Sequence, residues 1–333
     1  MKTFIAVTNP DLRKLLFGSE TMAALEAFSE VEWADDRIPF NSERLAEVIG
    51  EYDACITTWG SPKFTPEAIQ AAKRLKFIGH AAGSVVAIVN SDIYDTEIVV
   101  TSANKPLAYS TAEAAVTLML SGAWRLNEFS SRIKAGGWSD NSKETVLGLT
   151  GRTVGLIGLG EISRRVMKLL QGFGVHILLY SRYCTESEAA SLGVELCSLD
   201  ELLTRSHIVS LHNTWTPATE GMIGSRELKL IQPGALLVNT ARGAIVDEAA
   251  LVEELQVGRF SAVLDVYRYE PLPADHPLLQ LTNVSCMPHI GGFHGDLKQN
   301  LGRFVVEDLK RFIHGQELEG RVTADSYKRL TPH

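Results

Sequence analysis

Short apolar runs alternate with stretches of three- and four-residue apolar periodicity along most of the chain. FIAV (4–7) and ACITT (54–58) read as strands, PEAIQAAKRL (66–75) as a helix, and KFIGHAAG (76–83) as a strand running into a turn. One long helical pattern follows, roughly 108–136, on which Ala112, Ala115, Val116, Met119, Leu120 and Trp124 recur; GGW (136–138) closes it. After LGLTGRT (147–153) a second series opens: VGLIG (154–158), a helix, HILLY (176–180), then HIVSLH (207–212), ALLVNT (235–240), SAVLDV (261–266) and VSCMP (284–288). A helical pattern at about 296–314 and a polar tail end it. Strands alternating with helices predict parallel βαβ units. Two such series predict an α/β protein of two doubly wound, Rossmann-like parallel-sheet domains separated by a cleft.

Composition narrows the function classes. At 333 residues, 45% hydrophobic and 22% charged, the chain has material for two cores. Its net charge of −8 and lack of a basic block argue against nucleic acid and anionic membrane surfaces as partners. Cys55, Cys184, Cys197 and Cys286 form no C-x-x-C pair, so no zinc or other metal site is expected. Isolated cysteines, a first apolar run too short for a signal peptide and no run of 18 apolar residues lead to the expectation of a cytoplasmic protein.

The stretch VGLIGLGEISRRVM (154–167) carries the first chemistry. Gly158 permits a tight turn after a buried strand, and Gly160 lets backbone approach a pyrophosphate at the next helix N-terminus. Ser163 stands where a G-x-G-x-x-G fingerprint has its third glycine; that position serves helix–strand packing, so serine is tolerated. A GxG alone also fits an ordinary turn, but here it follows a strand and opens a helix. Expected cofactor contacts are Gly158, Gly160, Glu161, Ile162, Ser181, Arg182, Thr214, Thr240, Ala241 and Asp265. NAD-specific sites place a carboxylate about twenty residues past the loop. Ser181 and Arg182 occupy that place, so NADP is expected in preference to NAD. The alternative is that Arg182 is a solvated loop arginine.

Three later segments end strands with polar residues: Arg242 after ALLVNTA, Asp265 within a strand and Glu270 beyond it, and His289 after VSCMP. In an open α/β sheet such positions share one crevice. Arg242 suits a carboxylate, His289 a proton transfer near neutral pH, and Glu270 the stabilisation of a protonated His289. Each alone also reads as an ordinary loop residue.

With LTGRTVGLIGLGEI, NTARGAIVDEAAL, LDVYRYEPLP and MPHIGG in this order, the chain resembles the D-2-hydroxyacid dehydrogenase family over about residues 75–315. The resemblance implies that Arg242 holds a substrate carboxylate, His289 is the acid/base and Glu270 its partner. It implies a glyoxylate/hydroxypyruvate reductase-like oxidoreductase acting on a 2-keto acid or D-2-hydroxy acid, usually a homodimer. It implies a flavodoxin-like substrate domain of residues 1–104 and 294–333 around a dinucleotide-binding domain of residues 105–293. Because the chain crosses between the two domains twice, closure about hinges near 103–106 and 292–297 is expected. HAAGSVV (80–86) matches the family's substrate loop, so backbone N–H groups of Ala82, Gly83 and Ser84 are expected to face the carboxylate, with Trp59 and Gly60 lining the pocket. Asp265 resembles the family residue near the nicotinamide. His207 and His294 depart from the family pattern, and neither has an assigned role. A cofactor-sensing, non-catalytic corepressor-like protein on the same fold is the competing reading.

Overall fold

The computed structural model describes residues 1–139, 143–292 and 294–331. The chain divides into two compact units, residues 1–108 with 293–333, and residues 109–292. Of the expected hinges, Phe293 lies outside the described residues.

The first unit is a five-stranded parallel sheet of β1 (Lys2–Ile5), β2 (Glu30–Trp33), β3 (Ala54–Thr57), β4 (Phe77–His80) and β5 (Val99–Ser102), in the order β2-β1-β3-β4-β5. The predicted first strand begins two residues earlier than FIAV and ends at Ile5. The three interior strands are almost wholly buried, which is why they read as unbroken apolar runs. β2 (EVEW) alternates between exposed and half-buried positions as a sheet edge, so it carries no apolar run to be read from sequence. The C-terminal helix Gly295–Ile313 belongs to this unit. Its Leu301, Val305, Val306 and Leu309 pack with Ile5, Ile56 and Phe77 in one core. Residues in the polar tail pair with β5: Val322 donates to the carbonyl of Val100, and Ser102 to that of Gly320.

The second unit holds seven parallel strands: β6 (Thr153–Ile157), β7 (His176–Tyr180), β8 (Glu195–Leu196), β9 (Ile208–Leu211), β10 (Leu236–Asn239), β11 (Ser261–Leu264) and β12 (Val284–Cys286). Their order, β12-β11-β10-β9-β6-β7-β8, puts β6 beside both β7 and β9, so the winding reverses there. A ligand crevice in such a sheet lies outside the carboxyl ends at that reversal.

The long helix expected at 108–136 is two helices, Asn104–Ala123 and Leu126–Lys134. Arg125 breaks them with a left-handed φ of 52°, its guanidinium drawn to Glu128. Apolar periodicity runs through the break, so spacing alone did not reveal it.

Candidate active site

Gly158 follows β6 with φ 101°, and a Cβ there would stand 2.6 Å from the backbone of Asn213. Only glycine fits that turn, where the chain after β6 runs against the chain after β9. Gly160 faces open space, as approach of a phosphate requires. The missing third glycine is explained by its replacement. Ser163 is fully buried, and its Oγ accepts the Gly160 N–H at 2.8 Å, capping the helix Glu161–Leu170 from within. The Gly160 N–H is therefore committed to Ser163, which leaves the following amides of Glu161 and Ile162 to meet an anion at the helix start.

Beyond β7, Ser181 Oγ accepts the Tyr183 N–H at 3.3 Å, and Arg182 and Tyr183 are exposed in the turn. Behind it, Arg164 pairs with Glu188. At the carboxyl ends of β9 and β10 lies a group of polar atoms that sequence reading largely missed. His212 Nε2, Asn213 Oδ1, Trp215 Nε1 and Thr240 Oγ1 are buried with no hydrogen-bond partner among the described residues. Buried polar atoms ordinarily have partners, so this group fits a ligand that supplies them. Thr240 was expected there; Thr214 is exposed, and Ala241 is tied by its N–H to Asn239 Oδ1 at 3.0 Å. Burial keeps His212 neutral, pushing its pKa down to about 4. The glycine turn, helix start and orphaned polar atoms together fit a dinucleotide.

The ends of β10, β11 and β12 bring the three expected chemical residues together. His289 Nδ1 lies 2.7 Å from Glu270 Oε2. Glu270 Oε1 also accepts the Tyr267 N–H at 3.0 Å, so its carboxylate is aimed. Arg242 reaches solvent, but close neighbours desolvate its guanidinium and lower its pKa, while the charge of Glu270 acts in the opposite sense. Its Nη1 donates to the Ala241 carbonyl at 2.7 Å. His289 itself adopts a left-handed φ of 56°, a conformation costing a non-glycine residue about 1–2 kcal/mol.

Asp265 holds that loop. It sits one residue past β11, not within it, and is 1% exposed. Its Oδ1 accepts the Ile290 N–H at 2.7 Å and its Oδ2 the Gly291 N–H at 2.9 Å. Burial raises its pKa, and the two amides act in the opposite sense. Asp265 was expected as a cofactor contact; both its oxygens are engaged by the backbone that follows His289. Gly243 was missed altogether. A Cβ there would stand 1.9 Å from the Tyr267 carbonyl carbon, so the turn leading to Glu270 seats directly on the backbone after Arg242.

In the first unit, the loop after β4 is braced from below. His80, 2% exposed, has Nδ1 3.0 Å from Thr57 Oγ1, and burial pushes its pKa down to about 3 against a backbone hydrogen bond with Ser84. Thr58 Oγ1 donates to the Ala81 carbonyl at 3.1 Å. Ala82 is fully buried, Gly83 and Ser84 are half-buried, Trp59 is 40% exposed, and Gly60 turns with φ 75°. The two unassigned histidines are structural: His207 Nδ1 accepts the Thr153 N–H at 3.2 Å, and His294 Nδ1 caps the C-terminal helix through Leu297 N–H at 3.4 Å.

Reversed winding, a glycine turn at the reversal and a basic–acidic–imidazole set at the same sheet edge define a nicotinamide dinucleotide-binding α/β protein. Residues 116–291 match the family model for the D-isomer specific 2-hydroxyacid dehydrogenase, NAD binding domain. The chain belongs to that family and binds NAD(P) through this domain. It is 35% identical over 320 residues to a D-3-phosphoglycerate dehydrogenase of Methanocaldococcus jannaschii, covering 96% of this chain and 59% of that relative. The chain thus spans less than two thirds of that relative's length. A glyoxylate reductase of Thermococcus litoralis is 34% identical over 303 residues, covering 88% of this chain and 90% of its own. The solved glyoxylate reductase from Paecilomyes thermophila superposes with a TM-score of 0.78 at 28% identity, covering 97% of this chain and 98% of that one. No helix among the described residues is long and apolar enough to cross a membrane.

Proposed function

We propose that this protein interconverts a small 2-keto acid and its D-2-hydroxy acid with a nicotinamide cofactor. The observation that carries the reading is the 2.7 Å His289–Glu270 pair beside Arg242 at the carboxyl edge of a dinucleotide-binding sheet. Arg242 binds the substrate carboxylate through its planar, permanently charged fork. Glu270 at Nδ1 stabilises the imidazolium, so His289 donates its Nε2 proton to the carbonyl oxygen as the ketone is reduced and takes it back in oxidation. Ala82, Gly83 and Ser84 offer backbone amides to the same substrate class, with Trp59 and Gly60 setting the acceptable side chain.

The bound nicotinamide supplies the hydride chemistry. Gly158, Gly160, Glu161 and Ile162 would hold its pyrophosphate; Thr214, Thr240 and Ala241 line the way to the catalytic pair, and Asp265 acts there by holding the His289 loop. Ser181 and Arg182 favour NADP over NAD, because no carboxylate opposes a 2′-phosphate and Arg182 can pair with it. One charge-assisted contact is worth about 1.5–3 kcal/mol, so the preference is on the order of ten- to a hundredfold. The working form is a homodimer in the cytoplasm.

A panel of glyoxylate, hydroxypyruvate, pyruvate and bulkier keto acids, each with NADPH and NADH, tests the reading. Turnover of at least one acid, with higher kcat/KM for NADPH that Arg182→Ala abolishes, is expected. No turnover of any acid together with intact cofactor binding would transfer the chain to the corepressor-like reading. Equal or better efficiency with NADH would remove the role given to Arg182.

A further inference from the structure

We infer that Glu248 is a positioning residue that holds Glu270 against His289. The inference rests on the acid/base reading above and adds to it the group that aims the pair. Glu248 opens the helix Glu248–Val257, a place where a carboxylate is favoured by the helix dipole, and its side chain is only 20% exposed. It points away from its own helix. Oε2 accepts the Arg268 N–H at 3.0 Å, and Oε1 lies 3.3 Å from His276 Nε2. His276 Nδ1 accepts the Leu278 N–H at 3.3 Å, so its ring proton belongs on Nε2, facing Glu248. One carboxylate therefore ties residues 268 and 276, the two ends of the segment carrying Glu270.

The turn is gripped from two sides. Successive amides of Tyr267 and Arg268 go to two different carboxylates, Glu270 and Glu248. Beneath them Gly243 leaves no space for movement toward Arg242. The Arg268 side chain leaves the turn to pair with Glu220 at 2.7 Å, so it does not neutralise Glu248. The Tyr267 hydroxyl lies 3.0 and 2.9 Å from the carbonyl oxygens of Leu264 and Met287, anchoring the turn to the ends of β11 and β12. Among the described residues, Glu248 contacts His276 and the Arg268 backbone, His289 contacts Glu270, and Asp265 holds the two amides that follow His289. Removing Glu248 frees the outer side of the turn alone, and a displacement of about 1 Å at Glu270 is enough to cost up to a hundredfold in rate.

The test compares Glu248→Ala and Glu248→Gln with His289→Ala, using whichever keto acid the panel shows to be reduced. Steady-state kcat and KM are measured for each, with cofactor affinity followed by fluorescence titration. A ten- to hundredfold lower kcat in Glu248→Ala is expected, with KM changed by less than about threefold. Glu248→Gln, which keeps the Arg268 hydrogen bond, should fall between; if the alanine variant does not fold, the glutamine variant carries the test. Unchanged kcat in both Glu248 variants overturns the inference, as does a loss carried by KM or by cofactor affinity instead of kcat. If His289→Ala is inactive and the Glu248 variants behave as the parent, only the positioning role fails. If His289→Ala keeps full turnover, the acid/base reading itself falls.

Discussion

His289 shows how one residue's chemistry depends on two neighbours with different tasks. Glu270 lies against its Nδ1, and Asp265 sets its backbone by accepting the two amides that follow it. Loss of the imidazole removes the proposed proton donor, so His289→Ala should lower kcat by roughly 10²–10⁴-fold while cofactor affinity stays unchanged. Fluorescence titration with NADPH beside steady-state turnover checks both halves; an effect on binding alone would contradict the role. The buried histidines act at the same scale on stability. His80 and His212 resist protonation to about pH 3 and 4 when folded but take a proton near pH 6.5 when unfolded. Their contribution is fully present above pH 6.5 and falls below it by about 1.4 kcal/mol per pH unit for each group. Denaturant midpoints between pH 7 and pH 5 should therefore drop, and less steeply in His80→Gln. An unaltered slope in that variant would show that His80 is not held neutral.

Among the elements, the C-terminal helix is the one whose place the chain order least suggests. Nearly two hundred residues separate it from β5, yet Leu301, Val305, Val306 and Leu309 complete the core over the first sheet. Leu309 is fully buried, so Leu309→Ala should cost about 2–5 kcal/mol through lost burial and the cavity left behind. Calorimetry should show a lowered transition; a change below 1 kcal/mol would mean that the helix is dispensable to this unit. The helix Leu126–Lys134 is the opposite case. It has no buried residue, although Leu126, Phe129 and Ile133 recur along one side, with Leu126 53% and Ile133 50% exposed.

At the scale of the molecule, that apolar side is a surface suited to the proposed homodimer. Two-fold symmetry lets one patch cover itself, and Trp124 and Trp138 add exposed apolar area near it in sequence. The chain should sediment as a dimer, and Ile133→Glu with Leu126→Glu should shift it to monomer without unfolding. A parent protein that sediments as a monomer at micromolar concentration would refute the homodimer.

Much of this was legible along the chain because buried parallel strands are nearly continuous apolar runs. β3, β4, β6, β7, β9, β10, β11 and β12 all coincide with such runs, and Gly158, Arg242, Glu270 and His289 lie just beyond strand ends, as ligand-facing residues of this architecture do. The sequence by itself therefore determined the α/β class, the glycine turn and the candidate catalytic set. Elements without an apolar run escaped it: β2 alternates between exposed and half-buried positions, β5 ends in the polar Thr101 and Ser102, β8 has two half-buried residues, and the break at Arg125 interrupts no hydrophobic period. What only the tertiary structure decided is which groups meet across long separations. The capping role of Ser163 follows from a burial that spacing does not record. The engagement of Asp265 by Ile290 and Gly291, the seating of Tyr267 on Gly243 and the grip of Glu248 on Arg268 and His276 each join segments 20 to 28 residues apart. Those contacts are set by strand order and by the depth of each turn, and neither is encoded in the local alternation of polar and apolar residues.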